Sequence, residues 1–341
     1  MSAAPTPAVD IAEPVWSAAL AAIETAGEVA LACHVAPDGD ALGSMLALGL
    51  ALRARGVPVR CGFAGSPQVP ATYSYLPGQE LLVGEADFPA APALLVTLDT
   101  SSVDRLAALA PTVSRAGEVL VVDHHERGDG FGTIRLVDPR AAATAVVVEE
   151  LVRRLGVRLD ADIATCVYTG LTTDTGSFKY AATTPAVHDL ARRLLETGIA
   201  HDRVARAIWD THPYGYVRLL GLACSRARLE PAEVSGLGLV WTWTTAADLR
   251  EHGIGIDEVE AVIDVVRTTA EAEVAVVVKE DLDGALKVST RSKGRVDVGA
   301  VCAALGGGGH RFAAGFTSPD DLSRTLERLR EMLAEVGPLA G

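Results

Sequence analysis

Apolar residues fall along this chain in short, nearly continuous runs separated by stretches of helical period. Glu28–Val35, Val57–Gly62, Ala93–Asp99, Glu118–Asp123 and Thr133–Val137 are Val/Leu/Ala-rich, the pattern of parallel strands covered on both faces. Between them, Asp40–Arg55 and Thr144–Leu155 carry helical spacing. The first half therefore predicts an α/β fold built on a doubly wound, mainly parallel sheet. From His201 to Arg228 the pattern turns mixed polar and helical, with Pro213 inside it. Strands are predicted again at Leu237–Trp243, Glu273–Glu280 and Ala285–Thr290, with helices near Thr245–Glu251, Asp257–Val266 and Asp297–Leu305. These make a smaller α/β domain. An amphipathic helix, Ser318–Val336, closes it, with Leu322, Leu326, Leu329, Leu333 and Val336 on one face and Ser318-Pro319 at its start. The expected division is a flexible leader at 1–13, a first domain at 14–200, a helical connector at 201–228 and a second domain at 229–338.

Composition narrows the class. A chain of 341 residues has room for two domains. No apolar stretch approaches the length of a bilayer span, and the N-terminus lacks a basic segment followed by an apolar one, so neither a membrane nor a secretory signal is expected. The five cysteines are scattered without C-x-x-C spacing, which suits a reducing cytoplasm and argues against a disulfide framework or a thiolate zinc site. A net charge of −14 argues against a protein that coats long DNA or RNA, which needs a broad basic surface. It leaves room for a small phosphorylated substrate if part of the acidity holds divalent cations.

Four short segments supply that acidity: H-V-A-P-D-G-D at 34–40, L-D-T-S-S at 98–102, V-V-D-H-H-E at 121–126 and T-T-D-T-G-S at 172–177. His34, Asp99 and Asp123 end predicted strands, at the sheet edge where α/β folds bind ligands. Asp174 follows the helical run Asp162–Leu171 and has to be delivered by that helix. Each segment also has an ordinary reading. Asp38 lies in a turn, Asp40 is placed to cap the helix after it, and Asp99 and Asp174 could equally be caps or turn residues. Asp123-His124-His125 is costlier to bury without partners. Together the acids and imidazoles suit hard or borderline divalent ions, and a pair of them would share one carboxylate.

The ordered set H-x-x-x-D-x-D, strand-end D, D-H-H and T-D-T-G resembles the DHH phosphoesterase superfamily over residues 34–177. The resemblance implies that His34, Asp38 and Asp99 hold one metal, and that Asp40, Asp99, His124 and Asp174 hold the other, with Asp99 as the bridge. It places His125 at the scissile phosphate as a catalytic residue and Asp123 behind the ligands. By analogy it implies two divalent cations, Mn²⁺ first, with Mg²⁺ and Fe²⁺ as alternatives.

A second signature, L-G-G-G-G-H-R-F-A-A-G at 305–315, follows V-S-T-R-S-K-G-R at 288–295. Consecutive glycines let backbone approach an anion closely, although a flexible loop has the same composition. Lys287, Arg291, Lys293, Arg295 and Arg311 make a local positive patch with Asp297 as the lone acid. The segment resembles the DHHA1 domain, which implies substrate binding by Arg291, Gly307, Gly308, Gly309 and His310. The pairing of the two domains at this length is similar to the oligoribonuclease (nanoRNase) and 3′-phosphoadenosine-5′-phosphate (pAp) phosphatase group, which includes enzymes acting on pApA and cyclic di-AMP. That implies short partners, namely pAp, pApA and RNA of two to five nucleotides, and it is compatible with a homodimer. Two other readings stand beside it: a family II-type inorganic pyrophosphatase or exopolyphosphatase, and a nucleotide-binding protein without catalysis. His188, His201, His212 and His252 lack flanking acids at ligand spacing, and the pairs Trp241/Trp243 and Tyr73/Tyr75 read as packing residues.

Overall fold

A computed structural model of the chain describes residues 9–339 and divides it into two compact units, with the boundary between Thr211 and His212. The first unit runs α1 (Glu13–Thr25), β1 (Val29–Cys33), α2 (Gly39–Ala54), β2 (Val59–Gly62), β3 (Leu94–Leu98), α3 (Pro111–Arg115), β4 (Glu118–Asp123), β5 (Ile134–Val137), α4 (Thr144–Arg154), α5 (Ala161–Asp174), α6 (Pro185–Glu196) and α7 (His201–Trp209). Its five strands are all parallel, in the order β2-β1-β3-β4-β5. Strand alternation explains the unbroken apolar runs. Leu31, Cys33, Val96, Leu98, Leu120 and Val122 join the core that includes α2, α4 and α5, while Ala30, Ala32, Leu95, Val119 and Val121 join a smaller core on the opposite face. That second face is covered by Phe88 and by a 3₁₀ segment, Val103–Leu109, rather than by long helices. The order reverses between β1 and β3, and such a switch point opens a crevice at the strands' carboxyl ends.

Helix α2 is buried along Gly39–Leu52, which removes the amphipathic stripe a surface helix shows. It crosses α5 closely. A Cβ on Gly43 would meet the Cys166 carbonyl oxygen at 2.4 Å, and one on Gly170 would meet Asp40 Oδ1 at 2.5 Å.

The second unit contains α8 (Tyr214–Arg226), β6 (Arg228–Glu230), α9 (Glu233–Gly236), β7 (Leu239–Thr244), α10 (Ala246–His252), α11 (Val262–Val266), β8 (Val274–Glu280), β9 (Leu286–Ser292), α12 (Val298–Ala304), β10 (Gly308–His310), β11 (Ala313–Ser318) and α13 (Leu322–Val336). The strands form a mixed sheet in the order β10-β11-β9-β8-β7-β6, in which β7 and β8 run parallel. Val274, Val276 and Val278 pack toward α12 and α13, and Ala275 and Val277 toward α8 and α11.

Several expectations need correcting. The segment 201–228 is not one connector. Val204 and Ile208 of α7 pack into the first unit's core, whereas Tyr216, Leu219 and Ala223 of α8 pack into the second's. The apolar stripe of each helix packs into the core of its own unit. Residues 1–8 of the expected leader lie outside the described residues, and its end is tied down: the Asp10 N–H donates to Asp138 Oδ2 at 2.6 Å, and α1 begins at Glu13. Helix α13 starts at Leu322, because Asp321 caps it by accepting the Arg324 N–H. Ser318 instead ends β11 and bonds Thr325 Oγ1 at 2.7 Å. The expected helix over Asp257–Val266 is a 3₁₀ turn, Asp257–Ala261, running into α11.

Candidate metal centre

The site lies where β1, β3 and β4 end. His34 follows β1, Asp99 follows β3, and Asp123-His124-His125 closes and follows β4. Asp99 has φ +53°, a left-handed conformation that costs a non-glycine residue and is retained mostly at functional sites. Asp38 caps α2: its Oδ1 accepts the N–H groups of Asp40 and Ala41, both at 3.0 Å. This corrects the reading of Asp40 as the cap. Asp40 is the second residue of α2, fully buried, with its side chain turned inward.

Asp40 is held by the start of α4. Thr144 N–H donates to its Oδ2 at 2.6 Å and Ala145 N–H to its Oδ1 at 2.9 Å, while the Ser44 hydroxyl donates to Oδ1 at 3.1 Å. Unpaired N–H groups and the helix dipole favour a carboxylate there. Asp174, the last residue of α5, arrives beside Asp40 because α2 and α5 approach so closely at Gly170.

The imidazoles have defined orientations. His34 Nδ1 sits 2.9 Å from the Val35 carbonyl and His124 Nδ1 3.1 Å from the Ala141 carbonyl. Donation from each Nδ1–H turns Nε2 toward the acids. His34 Nε2 is 3.5 Å from Asp99 Oδ2 and 3.9 Å from Asp38 Oδ1. His124 Nε2 is 3.1 Å from Asp174 Oδ2 and 3.8 Å from both Asp40 Oδ2 and Asp99 Oδ1. Asp99 therefore turns one oxygen to each group, and Thr144 Oγ1 donates to its Oδ1 at 3.0 Å. His34, Asp38 and Asp99 form one cluster able to hold a metal ion, and Asp40, His124 and Asp174 another.

A third grouping, Asp99, Asp123 and His125, is also close enough. There, however, Asp123 Oδ1 accepts from His125 Nδ1 at 2.8 Å and from the backbone N–H groups of His124 and His125. Asp123 thus fixes the imidazole of His125 and the backbone turn.

The electrostatics fit a cation. Burial first, then the charges of Asp174 and Asp99, push Asp40 well above the carboxylate range. Burial raises Asp174 to about 6, against the opposing pull of His124. Burial would also raise Asp99, but hydrogen bonding to His34 and the charges of His125, His34 and His124 outweigh it and hold Asp99 low. His124 and His125 are both raised. Burial opposes this, and Asp174 for the first and Asp123 for the second overcome it. Among the described residues no Lys or Arg forms an ion pair with Asp38, Asp40, Asp99 or Asp174. Carboxylates crowded this way share protons with imidazoles, and divalent cations would replace those protons. Oxygen and imidazole donors without thiolate suit Mn²⁺, Mg²⁺ or Fe²⁺.

In the second unit, Arg291 lies on β9, paired with Ala313 of β11 and Ala275 of β8, and its Nη1 donates to the Thr290 carbonyl at 3.0 Å. Gly308–His310 form β10, an edge strand rather than a loop, with exposed side positions. Gly307 and Gly309 are spaced by their own chain: a Cβ would meet the Gly315 oxygen at 2.1 Å in the first case and the Ala313 oxygen at 2.7 Å in the second. Gly308 alone of the three faces open space. The basic residues do not act as one patch. Lys287 pairs with Asp281 at 2.7 Å, and Lys293 donates to the Thr269 carbonyl.

Sequence reasoning missed three contributors: the Thr144 and Ala145 N–H groups and Gly170. The predicted start of a helix at Thr144 was the available sign for the first two. A glycine inside a predicted helix was the sign for the third.

Carboxylates so numerous, mostly buried and without a Lys or Arg ion-pair partner among the described residues suit a metal-dependent hydrolase. Comparison with known proteins makes the class specific. Residues 28–171 match the DHH family, N-terminal domain, and residues 244–337 match the DHHA1 domain. The chain is 35% identical over 92% of its length, and 92% of the relative's, to a bifunctional oligoribonuclease and PAP phosphatase NrnA of Thermus thermophilus. It is 25% identical to the protein of the same description in Bacillus subtilis, over 89% of this chain and 93% of that one. Its fold is shared with an exopolyphosphatase-related protein from Bacteroides fragilis, at a TM-score of 0.86 and 22% identity, covering 95% of this chain and 97% of that one. The chain belongs to the DHH phosphoesterase family and carries its DHHA1 domain.

Proposed function

We propose that this enzyme hydrolyses very short oligoribonucleotides, including pApA, to mononucleotides and removes the 3′-phosphate of pAp, with a pair of divalent cations. The observation that carries the reading is Asp99, whose two oxygens face two separate ligand groups. His34, Asp38 and Asp99 would hold one ion, and Asp40, Asp99, His124 and Asp174 the other. Bound there, the cations supply Lewis acidity and a water of lowered pKa. Mn²⁺ is the ion we assign. Asp123 orients His125 through Nδ1, leaving Nε2 to carry a proton to the departing oxygen as the phosphorus–oxygen bond breaks. Arg291, Gly308 and His310 would recognise the nucleotide, with Gly307 and Gly309 shaping the strand that presents His310. We place the enzyme in the cytoplasm. The five cysteines are free, and no helix among the described residues is long and apolar enough to cross a membrane.

The names of the relatives support nucleotide substrates over pyrophosphate, and the DHHA1 match supports a domain fitted to them. A parallel assay with pAp, pApA, a pentanucleotide, a long RNA, cyclic di-AMP and pyrophosphate tests the reading in Mn²⁺. Turnover of pAp, pApA and the pentanucleotide is expected. Preference for pyrophosphate, or nucleotide binding without turnover, contradicts it.

A further inference from the structure

On the first unit, beside His125, lies a polar cavity of about 290 Å³. Its lining includes Thr100 and Ser101 from the loop after β3, His125, Arg127 and Phe131 from the loop after β4, and Arg135 from β5. None of these except His125 has a part in the hydrolysis described above. The volume falls at the lower end of ligand pockets, about 300–1,000 Å³, which suits one phosphate with part of its sugar rather than a longer chain.

The walls are set in place. Asp129 N–H donates to the Ser101 carbonyl at 3.1 Å, Asp129 Oδ2 accepts the Val103 N–H at 2.8 Å, and Asp129 Oδ1 accepts the Phe131 N–H at 3.2 Å. These bonds clamp the loop that follows His125 onto the loop that follows Asp99. Arg135 Nη1 donates to the Phe131 carbonyl at 3.2 Å, which holds the guanidinium at the rim.

The polar lining favours an anion. It offers the Arg135 guanidinium and the Ser101 hydroxyl, while Thr100 donates its own hydroxyl to the Leu98 carbonyl at 3.0 Å. Two acids, Asp123 and Glu126, also line the cavity. Asp123 is already committed through Oδ1 to three N–H donors, and Glu126 is exposed to solvent. Guanidinium and hydroxyl donors together are a phosphate-binding set. His125 links the cavity to the acid cluster, since its Nδ1 is 3.6 Å from Asp99 Oδ1.

We propose that this cavity is a second phosphate subsite, taking an anionic group that the substrate carries next to the phosphate being cleaved. The inference rests on the nucleotide-hydrolase reading and deepens it. It assigns Arg135, with Ser101, to discrimination between substrates that bear a terminal phosphate and those that do not.

The test uses the intact chain and Arg135→Gln, with Arg135→Lys as the conservative variant. Arg135 is exposed, so folding is checked simply by matching circular dichroism and melting temperature. Two substrates are compared: pApA, and ApA, which keeps the scissile diester but lacks the terminal phosphate. The wild type prefers pApA in kcat/KM, and Arg135→Gln lowers the pApA/ApA ratio by about tenfold, the scale of one charge-assisted hydrogen bond. Arg135→Lys recovers part of it. An unchanged ratio, or an equal loss on both substrates, overturns the subsite. Binding of inorganic phosphate to the metal-free chain, followed by ³¹P line broadening, gives an activity-free readout. If the wild type cleaves neither dinucleotide, the functional reading fails, and the phosphate titration alone decides the subsite. Binding weakened by Arg135→Gln supports it, and binding indifferent to Arg135→Gln removes it.

Discussion

Asp99 is held in a left-handed backbone conformation at the end of β3, with Thr144 donating to one oxygen and imidazoles facing both. Replacing it removes a donor from both ligand groups at once. Asp99→Ala is expected to abolish turnover and to weaken metal binding at both positions, read by activity and by calorimetric Mn²⁺ titration. Retained activity with saturating metal would argue against a shared ligand. His125 is expected to behave differently, because Asp123 and not a metal orients it. His125→Ala should lower kcat by roughly 10²–10⁴, the usual scale for a lost proton donor, while the chain still binds its metals. Loss of metal along with activity would make His125 a ligand instead. The acids and histidines were legible in the sequence because each stands in a short motif, at a strand end for His34, Asp99 and Asp123–His125 and at a helix end for Asp38, Asp40 and Asp174. The backbone donors that hold Asp40 were not, since any residue supplies an N–H.

At the level of elements, the β1, β3 and β4 carboxyl ends were predicted from apolar runs alone, and their convergence follows from the parallel order β2-β1-β3-β4-β5. What the runs did not reveal is how α5 brings Asp174 in. That depends on the close crossing of α2 and α5, where a Cβ on Gly170 would lie 2.5 Å from Asp40 Oδ1 and 2.7 Å from the Ala145 Cβ. Gly170→Ala should therefore displace Asp40, lower metal affinity and cost about 1–3 kcal/mol of stability. Mn²⁺ titration and thermal melting check both, and an unaffected affinity would show that Asp40 has slack. The glycine run at 306–309 gives no strand signal, because composition does not distinguish an edge strand from a flexible tract. In the second unit, Asp248 closes a capping box with Thr245 and bonds Arg226 at 3.0 Å. Burial opposes its ionisation, but Arg226 and Thr245 outweigh it and hold the carboxyl at about 2. A depressed acid stabilises above its unfolded value, about 3.9, and loses that contribution as pH falls through about 2. Asp248→Asn should cost about 1.5–3 kcal/mol near neutrality and should flatten the melting-temperature change between pH 4 and 2. An equal acid slope in both proteins would assign that slope to other groups.

Over the whole molecule, the chain divides into two units between Thr211 and His212, inside the expected connector. Composition alone could not say which core would cover the stripes of α7 and α8, because that depends on packing partners far along the chain. The buried acids of the first unit also make the metal-free protein pay in repulsion, and cation binding should stabilise the fold by mass action, about 2.7 kcal/mol at a hundredfold excess over Kd. Chelation is expected to lower the melting temperature, and readdition of Mn²⁺ to restore it. A melting temperature indifferent to chelator would mean that the acids are balanced by protons alone. The most direct measurement is electron paramagnetic resonance of the metal-free chain titrated with Mn²⁺. Two ions per chain are expected, giving the spectrum of an exchange-coupled pair about 3.5–4 Å apart, and Asp99→Asn should destroy that coupling. A single ion, or two ions with uncoupled signals in the wild type, would contradict the shared centre.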